Sequence, residues 1–84
     1  MEVNWTKNAA AEIKYWQKHD AKILERIKLL IDDIKKNPFS GIGKPESLKH
    51  KLQDCWSRRI TGSHRLVYRI SDSQLVILQC RYHY

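Results

Sequence analysis

Arg59 and Arg65 flank a turn at Gly62-Ser63, and their type and spacing could do chemistry. If the loop between their strands is odd in length they share one face, and paired guanidinium groups form a site for an anion. Each planar fork can grip two phosphate oxygens at once. His83 brings the side-chain type that titrates near neutrality and can pass a proton. Glu46, just after Pro45, brings a carboxylate that can accept one. Metal chemistry is not expected. Cys55 and Cys80 lack a Cys-x-x-Cys spacing, and His50, His64 and His83 do not sit at ligand spacings with either. The two cysteines read as small buried residues, not a disulfide.

The bulk charge points the same way. Sixteen Lys and Arg against nine Asp and Glu leave +7 on 84 residues. A field of that sign on so small a body attracts polyanions, with nucleic acid the first candidate partner and an acidic protein the second. Hydrophobic residues make up 42%, too many for a disordered tail. No apolar run is long enough to span a bilayer, so no membrane partner is expected. Met1-Glu2-Val3-Asn4-Trp5 has neither the basic region nor the apolar stretch of a signal peptide, and a cytoplasmic location is the expectation. The length is that of one domain, residues 1–84.

The elements that must position these residues can be read from periodicity. Val3 and Trp5 alternate with polar residues in a brief first strand. Thr6 caps a helix from Lys7 to His19 whose apolar positions are Ala9, Ile13 and Trp16. Asp20 caps a second helix with the stripe Ile23, Ile27, Leu30, Ile31 and Ile34. Lys35 and Lys36 suit its last turn, and Asn37-Pro38 stops it. Two prolines and two glycines between Asn37 and Ser47 predict a loop.

Beyond that loop the pattern alternates. Trp56, Arg58 and Ile60 fall on one face of a strand, with Ser57, Arg59 and Thr61 on the other. Leu66, Tyr68 and Ile70 share a face opposite Arg65, Val67 and Arg69. Leu75 to Cys80 is nearly all apolar and should lie centrally. The fold class is α+β: a short strand, two helices, then an antiparallel meander, with both helices on one sheet face and the other face open. A three-residue Gly62-Ser63-His64 loop brings Ile60, Leu66 and Tyr68 together on the covered face and sends Arg59, Arg65 and Val67 to the open one.

Several motifs taken together resemble a known family. Lys44-Pro45-Glu46-Ser47-Leu48-Lys49-His50, Trp56-Ser57-Arg58-Arg59-Ile60-Thr61, His64-Arg65-Leu66-Val67-Tyr68 and Cys80-Arg81-Tyr82-His83-Tyr84 are similar to the YoeB branch of the RelE/ParE toxin superfamily. Tyr15-Trp16-Gln17 and Asn37-Pro38-Phe39-Ser40-Gly41 extend the likeness into the first half. The resemblance implies a RelE-like fold and a ribosome-dependent mRNA endonuclease acting in the ribosomal A site. It also implies no cofactor, a cognate acidic antitoxin of the YefM type, and a homodimer as one assembly. The family's catalytic set falls on Glu46, Arg65, His83 and Tyr84, and its supporting basic residues on Lys49 and Arg59. Cys55 departs from a larger apolar residue, which bears on packing.

Those residues fit metal-independent RNA cleavage, in which the ribose 2′-OH attacks phosphorus and expels the 5′-oxygen. A base, a cation and an acid are needed, and Glu46, Arg65 and His83 suit these roles in that order. A carboxylate is ordinarily a weak base for a hydroxyl, so positioning must do much of the work. Tyr84 can stack on a base or bond a phosphate. Tyr82 is expected to pack inward, His50 and His64 to be surface residues, Arg69 an exposed strand residue, and Trp5, Trp16 and Trp56 core. Two other functions share the fold and charge: a ParE-like gyrase-inhibiting toxin, and a non-catalytic RNA-binding module.

Overall fold

Polar side chains set the ends of both helices. In the computed structural model, which describes residues 1–49 and 54–83, Thr6 Oγ1 accepts from the Ala9 amide at 3.2 Å and opens α1, Lys7–His19. Asp20 closes α1 and caps α2, Ala21–Lys36, accepting from the Lys22 and Ile23 amides at 3.1 and 3.2 Å. These bonds satisfy amide donors that a helix start otherwise leaves unpaired. Pro38 holds Asn37 out of the helical region, and α2 stops there. No described helix is long and apolar enough to cross a membrane.

The strands are β1 (Glu2–Trp5), β2 (Glu46–Ser47), β3 (Trp56–Arg59), β4 (Arg65–Ser71) and β5 (Gln74–Gln79). They form one sheet in the order β1-β5-β4-β3-β2, with β1 parallel to β5 and the other pairs antiparallel. Leu75 and Ile77 of β5 join Leu66, Tyr68 and Ile60 beneath Ala9, Trp16, Ile27, Leu30 and Ile34 of the helices. Trp5 and Trp56 pack against this core half-buried.

Three expectations change. The segment predicted as loop up to Ser47 contributes β2, with Glu46 opposite Ser57 and Ser47 opposite Trp56. A ladder of two residues is specified by its partner strand and leaves no periodicity of its own. The hairpin loop is odd in length, but its pairs are Arg59 with Arg65 and Ile60 with His64, so Thr61-Gly62-Ser63 turns the chain. Thr61 leaves the strand because its Oγ1 accepts from the Ser63 and His64 amides at 3.1 and 3.2 Å. Because the loop stays odd, the division of faces is unchanged. The second face is also not fully open. Leu48 and Cys55, joined by a 2.9 Å bond from the Leu48 amide to the Cys55 carbonyl, pack on Val67 and Leu78 there.

Arg58 ties the sheet to the loop after α2. It is 0% exposed, on the helix-covered face opposite Leu66. Its Nη1 donates to Asp33 Oδ2 at 2.5 Å and to the Ile42 carbonyl at 3.1 Å. Nη2 donates to the carbonyls of Asn37 and Ser40 at 2.6 and 2.8 Å, and Nε to the Tyr68 hydroxyl at 3.2 Å. All five donors of the guanidinium are used. Tyr68 in turn donates to the Pro38 carbonyl at 2.6 Å. Gly41 passes so close, at φ +118°, that an added Cβ would meet Asp33 Oδ2 at 2.0 Å.

The hydrogen bond from Arg58 holds the Asp33 carboxyl below its ordinary value of 3.8, with help from the Ile42 amide. A lowered folded value means that this contribution to stability is complete above pH 3.8 and disappears as the pH falls below it through the folded value. Urea unfolding followed from pH 6 to about 2 should therefore show a steeper acid loss for the parent than for Asp33→Asn. Parallel curves for the two proteins would remove Asp33 from the acid response.

Candidate functional site

The β3–β4 hairpin sets Arg59 and Arg65 directly opposite each other on the face away from the helices. Like charges in that relation repel, and among the described residues neither arginine forms an ion pair. The two side chains differ in environment. Arg59 is exposed, while Arg65 is only 7% exposed. Arg65 Nη1 donates to the carbonyls of Thr61, His64 and Gly62 at 2.7, 3.2 and 3.3 Å. Its guanidinium is thus anchored on the hairpin turn, a burial that alternation alone did not reveal. Arg26 Nη2 reaches the Arg59 carbonyl at 3.3 Å and adds a third cation nearby.

Glu46 stands exposed on β2. Its partner Ser57 pairs with Val67, and Val67 with Gln79, so one row crosses four strands on this same face. Strand spacing near 4.8 Å makes the row about 14 Å long. The Arg59–Arg65 pair lies two residues along from it, which puts the Glu46 and Arg65 backbones about 12 Å apart. Lys49, exposed, follows Glu46 in the connection that covers part of the face.

His83 belongs to the far end of that row. Gln79 Nε2 donates to the carbonyls of Tyr82 and His83, each at 3.2 Å. The Arg65 amide donates to the Tyr82 carbonyl at 3.0 Å. The segment after β5 therefore returns beside Arg65, and His83 is exposed there. The backbone positions of Glu46, Arg65 and the His83 segment are thus brought to one side of the sheet. Tyr84 and His50 lie outside the described residues.

Two histidine and tyrosine assignments need correction. Tyr82 does not pack inward but is 55% exposed. A left-handed φ of 69° turns its ring out, and the inward place is taken by Arg81, whose guanidinium lies 3.5 Å from the Tyr15 ring centroid and 5.9 Å from that of Trp16. His64 is not a plain surface residue. Half-buried, it meets the Trp16 indole edge-on at 4.8 Å, and its Nδ1 accepts the Tyr82 amide at 2.8 Å. No local pattern could have exposed this contact, because its partners are 18 residues apart. Arg69 is half-buried beside Cys55.

Both cysteines are buried and free. Burial pushes the Cys55 thiol up, and pushes Cys80 up to about 12, with Glu12 acting in the same direction. Thiols held protonated in this way are poor nucleophiles at neutral pH.

A family model for the YoeB-like toxin of bacterial type II toxin–antitoxin systems matches residues 5–84. Toxin YoeB of Escherichia coli K12 is 49% identical over 84 residues, covering 100% of both chains. A YoeB/ParE toxin from Agrobacterium tumefaciens superposes with a TM-score of 0.97 at 46% identity, again over 100% of each chain. YoeB from Staphylococcus aureus, solved as a dimer and in a heterotetrameric complex with the antitoxin YefM, gives TM-scores of 0.93 and 0.92 at 40% identity over 100% of this chain and 98% of that one. The chain belongs to the family of YoeB-like toxins of bacterial type II toxin–antitoxin systems.

Proposed function

We propose that this protein is a ribosome-dependent mRNA endonuclease that cuts mRNA in the ribosomal A site and so arrests translation in the cytoplasm. The observation that carries the reading is the shared face: Glu46, the Arg59–Arg65 pair and the segment bearing His83 all meet on one side of the sheet of a +7 protein. Glu46 takes the proton of the ribose 2′-OH. The 2′-oxygen bonds to phosphorus, Arg65 stabilises the added negative charge on the phosphorane, and the bond to the 5′-oxygen breaks as His83 protonates it. The products are a 2′,3′-cyclic phosphate and a free 5′-hydroxyl. Lys49 and Arg59 hold neighbouring phosphates, and Tyr84 stacks on a base or bonds a phosphate. One domain spanning residues 1–84 carries the whole reaction and needs no cofactor.

A cognate acidic antitoxin of the YefM type holds the protein inactive in this reading, and the basic face is its electrostatic counterpart. The Staphylococcus aureus relative supports both that partner and a homodimer.

Adding the purified protein to translating ribosomes and mapping mRNA ends tests the reading. Cleavage at A-site codons is expected, and Glu46→Gln or His83→Gln should each slow it about 10²–10⁴-fold. Intact mRNA together with blocked DNA supercoiling by gyrase would replace this function with that of a ParE-like toxin.

A further inference from the structure

We propose that His64 is a positioning residue for His83, an assignment that rests on the catalytic role given to His83 above. Residues 80–83 continue β5 in an irregular conformation, so ladder bonds cannot place them. Tyr82 also sits at φ 69°, a left-handed conformation that L side chains rarely adopt. Such a bend persists where the surroundings hold it, and residues of this kind gather at functional sites.

The hold is a two-point clamp built from consecutive residues. His64 Nδ1 accepts the Tyr82 amide at 2.8 Å, and the Arg65 amide donates to the Tyr82 carbonyl at 3.0 Å. Both polar groups of Tyr82's backbone are thereby tied to the start of β4, immediately before His83. The imidazole is itself held. The Trp16 indole meets it edge-on at 4.8 Å, and Trp16 Nε1 donates to the Cys80 carbonyl at 2.8 Å. The His64 carbonyl accepts from the Ile60 and Thr61 amides and from Arg65 Nη1. One residue thus joins the turn that anchors the Arg65 guanidinium to the segment that carries His83. A backbone amide is always a donor, so Nδ1 must present its lone pair and the ring proton sits on Nε2.

The acceptor at the Nδ1 position is what matters, and asparagine offers an oxygen there. His64→Ala should lower kcat for mRNA cleavage on ribosomes about 10–100-fold while KM changes little, because a misplaced acid harms the chemical step more than binding. His64→Asn should restore most of the rate. In the His83→Gln background, His64→Ala should have little further effect, since the two act as one unit. Hydrogen exchange at the Tyr82 amide, followed by NMR, should be at least about tenfold faster in His64→Ala and near the parent rate in His64→Asn. Parent kcat in His64→Ala, or no rescue by asparagine, overturns the proposal. If the parent itself cuts no mRNA, the endonuclease reading fails, and Tyr82 exchange still decides: unchanged protection in His64→Ala overturns the clamp.

Discussion

Replacing Arg65 with alanine is expected to slow mRNA cleavage about 10²–10³-fold, the loss typical of removing one donor aimed at a developing oxyanion. In the proposed mechanism, Arg65, opposite Arg59 and beside the His83 segment, meets the phosphate that gains charge in the transition state. The burial of Arg65 complicates a simple substitution. Nη1 serves three carbonyls of the hairpin turn, and their loss should cost about 1–2 kcal/mol, or roughly 4–16 °C in Tm for a domain this size. Arg65→Lys separates the two effects. An ammonium can serve some of the turn carbonyls and so recover part of the stability, but it cannot present a planar fork and should remain a poor catalyst. Cleavage rates and melting curves for both variants decide the matter. An alanine variant that is folded and cuts at the parent rate would end Arg65's catalytic assignment.

Arg58→Ala is expected to have the largest effect on stability. It takes the cation from the Asp33 carboxylate and the donors from the carbonyls of Asn37, Ser40 and Ile42, and it leaves the Tyr68 hydroxyl with only its bond to Pro38. Leaving a buried acceptor unsatisfied typically costs about 1–3 kcal/mol, so losing several at once rivals the entire stability of about 3–5 kcal/mol that a single core of this size supplies. The variant should be mostly unfolded at 37 °C or melt at least about 12 °C lower. Arg58→Lys should rescue little, because three rotatable donors cannot replace five fixed ones. The loop that Arg58 grips runs directly into Glu46, and the Arg59 amide holds the Gly43 carbonyl at 2.7 Å on the way. A folded fraction of Arg58→Ala should therefore also cut poorly. Melting within a few degrees of the parent would show that the loop holds without its central cation.

Much of the site was legible because its determinants are short-range or close to it. The odd hairpin loop decided that Arg59 and Arg65 share a face, and the register confirms it even though the turn falls one residue earlier than expected. Parity depends only on whether the loop is odd, so an error in its position left the conclusion standing. Glu46 and His83 came from motif resemblance; strand pairing brings Glu46 to that face, and the Gln79 side chain holds the His83 carbonyl. The environment of each charged residue was not legible. Arg58 and Arg59 are adjacent and chemically alike, yet one is sealed under the helices and the other faces solvent. Their parity was readable, but the carbonyls waiting for Arg58 come from a loop whose path no periodicity describes.

By itself the sequence determined the helices, their caps, the order of elements and the faces of the hairpin. Each follows from interactions within about four residues or from strict alternation. Only the tertiary structure decided the parallel pairing of β1 with β5, the brief β2, the cover of Leu48 over Val67, and the bend that brings Tyr82 to His64. Those contacts join parts of the chain from 9 residues apart, Ser47 with Trp56, to more than 70 apart, Glu2 with Gln74. Their free energy depends on packing that exists only once the sheet has assembled, so no local pattern can encode them.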